Sequence, residues 1–258
     1  MTEKILITGD KGFIGGHLRN WLVESDCYGE WQNERLEIDG MDFPNDIGFF
    51  QPTKKYDCVI HLAAFAALRE SFEDPDRFWD NNVTKSQPIF DYCRRNNVRL
   101  LYASSAGAHG WWQNPYAITK KVNEVQAPPD SVGMRFFNVW AEEGSRNDML
   151  YRMLQEGTAK YLTRHRRDWI HVDDVVSAIG HLIPSTHTGY IDIGTGQETS
   201  VLELAEAMGM GHLPIKEDTP GEPDSLCADI RQLTELGWYP TINIVDHLKG
   251  HDSTQLAT

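Results

Sequence analysis

Hydrophobic and polar positions along the chain fall into blocks of two kinds. Short β-rich apolar runs occupy 5–8, 58–62, 100–103, 134–139 and 190–193, each of strand length. Between them, apolar residues recur at helical spacing. Phe13, Ile14, Leu18, Trp21 and Leu22 mark a helix directly after the first run. Residues 76–95, with Phe78, Trp79, Val83, Ile89, Phe90 and Cys93, predict a long helix that Pro88 kinks or splits in two. Residues 117–126, 172–183 and 200–208 predict three more helices, the last capped by Thr199 or Ser200. Strands alternating with helices predict an α/β fold, a parallel sheet covered on both faces.

Two stretches fit this rhythm poorly. Residues 26–46 should hold two short strands, with 27–31 and 35–39 as candidates, yet neither is well patterned. Beyond about residue 140 the alternation loosens, and 212–226 is rich in Pro and Gly. The expected organisation is a nucleotide-binding domain over 1–140 to which 168–195 returns. A small C-terminal substrate lobe is expected from 141–167 and 196–250, with 251–258 a polar, disordered tail.

The first strand runs into Thr8-Gly9-Asp10-Lys11-Gly12-Phe13-Ile14-Gly15, three glycines spaced by three between a strand and a helix. This order suits a dinucleotide. The first glycine permits a tight turn, and the later ones let the backbone approach the pyrophosphate and let the helix pack on the strand. The unpaired N–H groups of the helix then face the phosphates.

Composition narrows the function classes. A chain of 258 residues with 40% hydrophobic and 24% charged residues is ordinary for a globular protein. A formal net charge of −14 would repel nucleic acid and anionic membranes, so neither is an expected partner. No apolar run reaches the length of a membrane span, and Met1-Thr2-Glu3-Lys4 leads into a strand pattern, not a signal-peptide core. Cys27, Cys58, Cys93 and Cys227 lie far apart with no CxxC pair, so no zinc site or disulfide framework is expected and a reducing cytoplasm fits. Against the acidic background stands one basic run, Arg164-His165-Arg166-Arg167, readable as a solvated turn or as a local anion site.

Tyr116 and Lys120 lie four residues apart, on one face of a helix. A free phenol ionises near pH 10 and is a poor base at neutrality. A lysine cation beside it, with a nicotinamide ring nearby, favours the phenolate. Such a tyrosine could take a proton from a substrate hydroxyl while hydride leaves the same carbon. Ser104-Ser105 ends the preceding strand.

With these residues together, the chain resembles the extended short-chain dehydrogenase/reductase family of nucleotide-sugar epimerases and dehydratases. The resemblance spans nearly the whole sequence. Gly9, Gly12 and Gly15 match GxxGxxG, and Asp57-Cys58-Val59-Ile60-His61-Leu62-Ala63-Ala64 is similar to the family strand whose small residues line the cofactor. Asn81-Asn82-Val83, Leu101-Tyr102-Ala103-Ser104-Ser105-Ala106 and Asn114-Pro115-Tyr116 through Lys120 follow in family order. So do Arg135-Phe136-Phe137-Asn138-Val139, Arg167-Asp168-Trp169-Ile170-His171-Val172-Asp173-Asp174-Val175 and Ile193-Gly194-Thr195-Gly196.

The resemblance implies a Rossmann-type doubly wound sheet and a role for each residue. Tyr116 would be the acid/base, Lys120 would hold the nicotinamide ribose and tune Tyr116, and Ser105 would bond the reacting oxygen. Gly9, Lys11, Gly12, Phe13, Ile14, Gly15, Leu62, Ala63, Ala64, Asn82, Ala103 and Phe137 would line the cofactor. Asp42 and Phe43 would touch the adenine. Asn138 would contact the sugar and Arg167 a substrate phosphate, which favours the anion-site reading of the basic run. Asp173 and Asp174 read as helix caps and stay outside the site.

Departures carry as much information. Family dehydratases and decarboxylases place an acid just after the catalytic Ser/Thr, whereas Ser105 is followed by Ala106-Gly107-Ala108. His109 stands where the family has a tyrosine, and packing or a loop hydrogen bond is its expected role. The loop to Tyr116 is about half the family length and carries Trp111-Trp112, and Asp224 stands where an arginine for the nucleotide is common. Epimerisation or keto reduction remains. NAD is the expected cofactor, with Glu30 as the acid for the ribose; NADP is the alternative, with Lys11 meeting its 2′-phosphate. An NAD-dependent nucleotide-sugar epimerase, an NADP-dependent keto-sugar reductase and a non-catalytic NAD(P)-binding regulator are the three functions in play. A homodimer is expected through 76–95 and 117–126, with Phe78, Trp79 and Phe90 supplying apolar surface.

Overall fold

The computed structural model describes residues 3–24, 36–41, 50, 52, 54–145, 149–217 and 221–255. The chain forms two compact units, Met1–Arg135 with Ile179–Ile191, and Phe136–Ala178 with Asp192–Thr258.

In the first unit, β1 (Glu3–Thr8) is followed by α1 (Phe13–Glu24), β2 (Leu36–Met41), β3 (Cys58–His61), α2 (Leu68–Glu73), α3 (Pro75–Asn82) and α4 (Gln87–Asn96). Next come β4 (Arg99–Ser105), α5 (Pro115–Gln126) and β5 (Ser131–Phe136). These strands, with a later one, β8 (Gly189–Ile193), form a six-stranded sheet in the order β2-β1-β3-β4-β5-β8. Pairing is parallel where β1 meets β2 and β3 and where β3 meets β4. The four residues of β3 are all buried, as expected of a parallel strand with both faces covered. Leu6, Val59, Ile89, Phe90, Leu100 and Tyr102 share one core cluster.

The expected long helix over 76–95 is broken before Pro88, not at it. A 3-10 turn, Thr84–Ser86, separates α3 from α4, and Pro88 lies in the first turn of α4, where its missing N–H is not needed. Asp74 caps α3 by accepting from the Arg77 N–H. Phe78 and Phe90 are core residues, 1% and 0% exposed, so of the three aromatic residues expected on a dimer face only Trp79, at 45%, is on the surface.

The expected strand over 35–39 is observed as β2, shifted to Leu36–Met41; residues 27–31, Cys27, Glu30, Asp42 and Phe43 lie outside the described residues. The expected strand over 134–139 is two strands. Phe137 leaves the line and donates its N–H to the Ile193 carbonyl, separating β5 from β6 (Asn138–Trp140).

The second unit continues with α6 (Leu150–Gln155), β7 (Arg166–His171), α7 (Val172–Leu182), β9 (Glu198–Ser200), α8 (Val201–Ala207), β10 (Ser225–Leu226), α9 (Arg231–Glu235) and α10 (Ile244–Gln255). Its sheet has the order β10-β7-β6, with β9 antiparallel on β7. β6 pairs in parallel with β7 and not within the six-stranded sheet, so both belong here; of the stretch 168–195 expected to return to the first domain, Ile179–Ile191 lies in the first unit and the rest in the second. Ser200 opens α8 with a reciprocal capping box to Glu203. Trp140, Tyr151, Leu154, Trp169 and Leu204 form the core. The last helix runs through Gln255, into the stretch whose polarity predicts a disordered tail. No helix among the described residues is long and apolar enough to cross a membrane.

Candidate active site

The glycine turn has the geometry a pyrophosphate requires. Gly9 adopts φ +76°, and a Cβ there would lie 2.9 Å from the Ala63 nitrogen. A Cβ on Gly15 would lie 2.0 Å from the Gly9 carbonyl oxygen, so α1 can approach the turn only without a side chain at that position. Gly9 N–H donates to Met41 O and Gly12 N–H to Gly9 O, both at 3.0 Å, which ties the turn to β2 before α1 opens at Phe13. Ile14 is half-buried and Lys11 exposed. Leu62, Ala63 and Ala64, half-buried just beyond β3, lie against this turn through Leu62 and Ala63. The cradle that a side chain would fill therefore fits the dinucleotide named by the sequence pattern.

The chemistry-bearing residues stand on β4 and α5. Asn114 starts α5 by accepting from the Ala117 N–H at 2.7 Å, and Pro115 occupies the first turn. Tyr116 is 9% exposed, its N–H donating to Ser71 Oγ and its ring edge-on to Phe78. One turn on, Lys120 is 2% exposed, with its Nζ 5.6 Å from the Tyr116 ring centre and donating to the Ala103 carbonyl at 2.9 Å. No carboxylate among the described residues forms an ion pair with it. Burial pulls the Lys120 ammonium down from 10.5 to about 7.

Asn82 is fully buried, and its side chain is spent on the scaffold. Its amide donates to Phe65 O and Thr119 Oγ1, and its Oδ1 accepts from Phe65 N–H. Its own carbonyl accepts from Asn123 and Ser86. Asn82 thus anchors α5, the helix that carries Tyr116 and Lys120. His61, at the end of β3, sits between Thr8 Oγ1 (2.6 Å) and Ser86 Oγ (2.9 Å). Burial, aided by the Lys120 charge, lowers it to about 3, so it is neutral at physiological pH.

Ser105 ends β4, and its Oγ accepts from the Gly107 N–H, opening a 3-10 segment, Ala106–Gln113. Trp111 and Trp112 on that segment are 44% and 66% exposed and meet edge to face. Behind it, Arg135 makes a two-pronged pair with Glu124 at 2.7 Å, Ser104 donates to Glu124, and His109 lies 3.3 Å from Arg135. Burial opposes the Glu124 charge, but bonds from Arg135, Ser104 and Lys121 hold its carboxyl below the ordinary value. Sequence reading missed this buried pair; the signal was a Glu one turn past Lys120 and an Arg opening the Arg135–Val139 motif.

In the second unit, Phe137 is buried and Asn138 half-buried at the start of β6. The basic run has acidic partners throughout. Arg164 meets Glu217, Arg166 meets Glu198 and Glu203, and His165 and Arg167 both meet Glu222. Arg167 is 7% exposed and also donates to the Asp224 carbonyl. Asp168 is fully buried and accepts from Thr195 N–H and Oγ1–H, Gly196 N–H and Ala228 N–H. Asp174 accepts from Thr241 and Ile242, so it ties 241–242 to α7 as well as opening that helix. Cys58 and Cys93 are buried free thiols, Cys227 is an exposed one, and no metal-binding cluster occurs among the described residues.

Known proteins give the comparison. The chain is 26% identical to a UDP-glucose 4-epimerase of Pisum sativum, over 92% of this chain and 91% of that one. It is 29% identical to Protein CapI of Staphylococcus aureus, over 70% and 69%. In fold it is similar to MoeE5 in complex with UDP-glucuronic acid and NAD (TM-score 0.78, 24% identity, 95% and 96% covered). UDP-glucuronic acid 4-epimerase from Bacillus cereus is equally similar in fold (TM-score 0.78, 22% identity, 95% and 96% covered). The model of the NAD dependent epimerase/dehydratase family matches residues 5–194. The protein belongs to that family.

Proposed function

We propose that the protein is an NAD-dependent epimerase of a nucleotide-activated hexose, with Tyr116 as its acid/base. The observation that carries this reading is the Tyr116–Lys120 pair: a phenol one helical turn from a buried ammonium with no counter-ion among the described residues. A bound nicotinamide dinucleotide would supply the hydride acceptor and donor. Tyr116 takes the proton of the sugar hydroxyl as the hydride departs from the same carbon, and returns it when hydride comes back to the other face of the keto sugar. Lys120, lacking a carboxylate, favours the phenolate that serves as base. Ser105 holds the reacting oxygen.

Elimination of water would need a second acid/base, yet Ala106 and Gly107 open the segment after Ser105. Asn138 is the proposed sugar contact. Arg167 is not assigned a substrate phosphate in this reading, because Glu222 and the Asp224 carbonyl already occupy its guanidinium.

The proposed assembly is a homodimer through the helices of the first unit, where Phe72, Trp79 and Val125 are exposed on α2, α3 and α5. Light scattering at high micromolar concentration should give twice the chain mass; a monomer contradicts it. The catalytic reading is tested with a panel of UDP- and ADP-hexoses and NAD. An epimer of unchanged mass is expected, and a panel left untouched by the wild-type protein contradicts it.

A further inference from the structure

The dinucleotide loop contains a charged residue that the reading above does not use. Asp10 follows Gly9 directly, is 5% exposed, and has one carboxylate oxygen, Oδ1, buried without a hydrogen-bond partner among the described residues. Its other oxygen, Oδ2, accepts from Arg19 Nη1 on α1. The carboxylate lies over β2: a Cβ on Gly40 would be 1.8 Å from Oδ2 and 2.4 Å from Cγ. Gly40 pairs with Ile7 and is next to last in the strand beside β1. In sheets of this topology the end of that strand is where an acid meets the ribose hydroxyls of a dinucleotide. The acids of β2 itself are engaged elsewhere. Asp39 accepts from Tyr56 Oη and pairs with Lys54, and Glu37 pairs with Lys54 and Lys4.

We infer that Asp10 selects NAD over NADP by reading the adenosine ribose from the phosphate loop. This rests on the dinucleotide reading proposed above. A 2′-hydroxyl can donate to the acceptor oxygen that has no partner, whereas a 2′-phosphate would bring about two further negative charges against it. Arg19, the nearby cation that could answer a phosphate, is committed to Asp10. Neutralising Asp10 would release Arg19, which is 46% exposed at its side chain.

The test is calorimetric titration of the full-length protein with NAD and with NADP, which reads binding and not turnover. The wild type should bind NAD at least about tenfold more tightly. Asp10→Asn, of the same shape, should narrow that ratio by about tenfold or more, by weakening NAD and tightening NADP. Gly40→Ala, which displaces the carboxylate without removing it, should narrow the ratio in the same direction. Adding Arg19→Ala to Asp10→Asn should cancel the NADP gain. Wild-type binding of both dinucleotides with a ratio unmoved by Asp10→Asn and Gly40→Ala overturns the role of Asp10 alone. So does a ratio that collapses only in Asp42→Asn, which assigns the selection to Asp42. Wild-type protein that binds neither dinucleotide overturns the dinucleotide reading itself.

Discussion

Two regions of the molecule bury positive charge, and they treat it in opposite ways. Along β7 and the run before it, Arg167 meets Glu222, and the neighbouring Asp168 collects four hydrogen bonds. On α5, Lys120 is buried more deeply than Arg167, yet among the described residues its ammonium donates to a single backbone carbonyl, and burial lowers it to about 7. A buried charge without a counter-ion is costly, so a fold with only stability to gain would pair it or replace it. On the function proposed above, the difference separates scaffold from chemistry. The 164–168 region is cross-linked by its ion pairs and hydrogen bonds, while the β4–α5 region keeps a cation that no described carboxylate pairs, 5.6 Å from the ring of a phenol that could supply the missing charge.

The comparison breaks most easily at the phenol. Tyr116→Phe should lower turnover by about 100- to 10,000-fold, because only the proton path is lost. Its affinity for dinucleotide, read by titration, should stay near wild type. A Phe variant with near-normal turnover would place the chemistry elsewhere.

Removing the cation sharpens the contrast, since activity and stability should move in opposite directions. Lys120→Met should lose most turnover and melt at a higher temperature at pH 7. The sign follows from the shift. With the folded-state pKa lowered to about 7 from 10.5, the cost of burying Lys120 is full below pH 7 and fades as pH rises toward 10.5. The stabilisation by Met should therefore shrink across the same window. A Met variant less stable than wild type at pH 7 would mean that Lys120 is a structural tie.

On the other side of the comparison, Asp168→Ala should destabilise by about 3 kcal/mol in urea unfolding, because it removes the acceptor of three backbone N–H groups, one of them on buried Ala228. A loss below about 1 kcal/mol would show that the four bonds do not organise this region.

The smallest effect concerns His61, which is neutral in the fold. Its folded-state pKa of about 3 lies below its ordinary 6.5, so the unfolded chain binds the extra proton, and stability is lost as pH falls from 6.5 toward 3. The loss should reach about 2 kcal/mol at pH 5, since each unit is worth about 1.4 kcal/mol. His61→Asn should flatten the stability profile between pH 6.5 and 5, and an unchanged slope would assign the acid sensitivity to other groups.

Much of the first unit was legible because its signals are local. The glycine run, the strands buried on both faces and the capped helices each follow from neighbouring residues. The Gly9 turn, for example, needs no information beyond the spacing of three glycines and the run before them. The second unit was harder because its order depends on distant partners. Arg164–Arg167 reads as a solvated turn or an anion site, and in the fold Arg166 and Arg167 open β7, where Glu198, Glu222 and the Asp224 carbonyl, far along the chain, meet their charges. Phe78 and Phe90 looked available for a dimer face because periodicity shows that a residue is apolar but not which of two faces it takes. Asn82, an expected cofactor contact, also has a scaffold role that only distant partners reveal, its amide bonds tying Phe65 and α5 together. Asp10 gave no signal, since a carboxylate inside a glycine turn gains meaning only when Gly40 and Arg19 are beside it.

The central claim is that Tyr116 moves a proton while one carbon of a hexose is transiently oxidised, with no loss of water. The most direct test supplies a nucleotide-hexose that the enzyme turns over, deuterated at each ring carbon in turn, and follows the product by NMR and mass spectrometry. The account predicts an epimer of unchanged mass that keeps its deuterium, formed by the wild type and not by Tyr116→Phe. A product lighter by one water, or deuterium exchanged for solvent hydrogen at the inverted carbon, would contradict it.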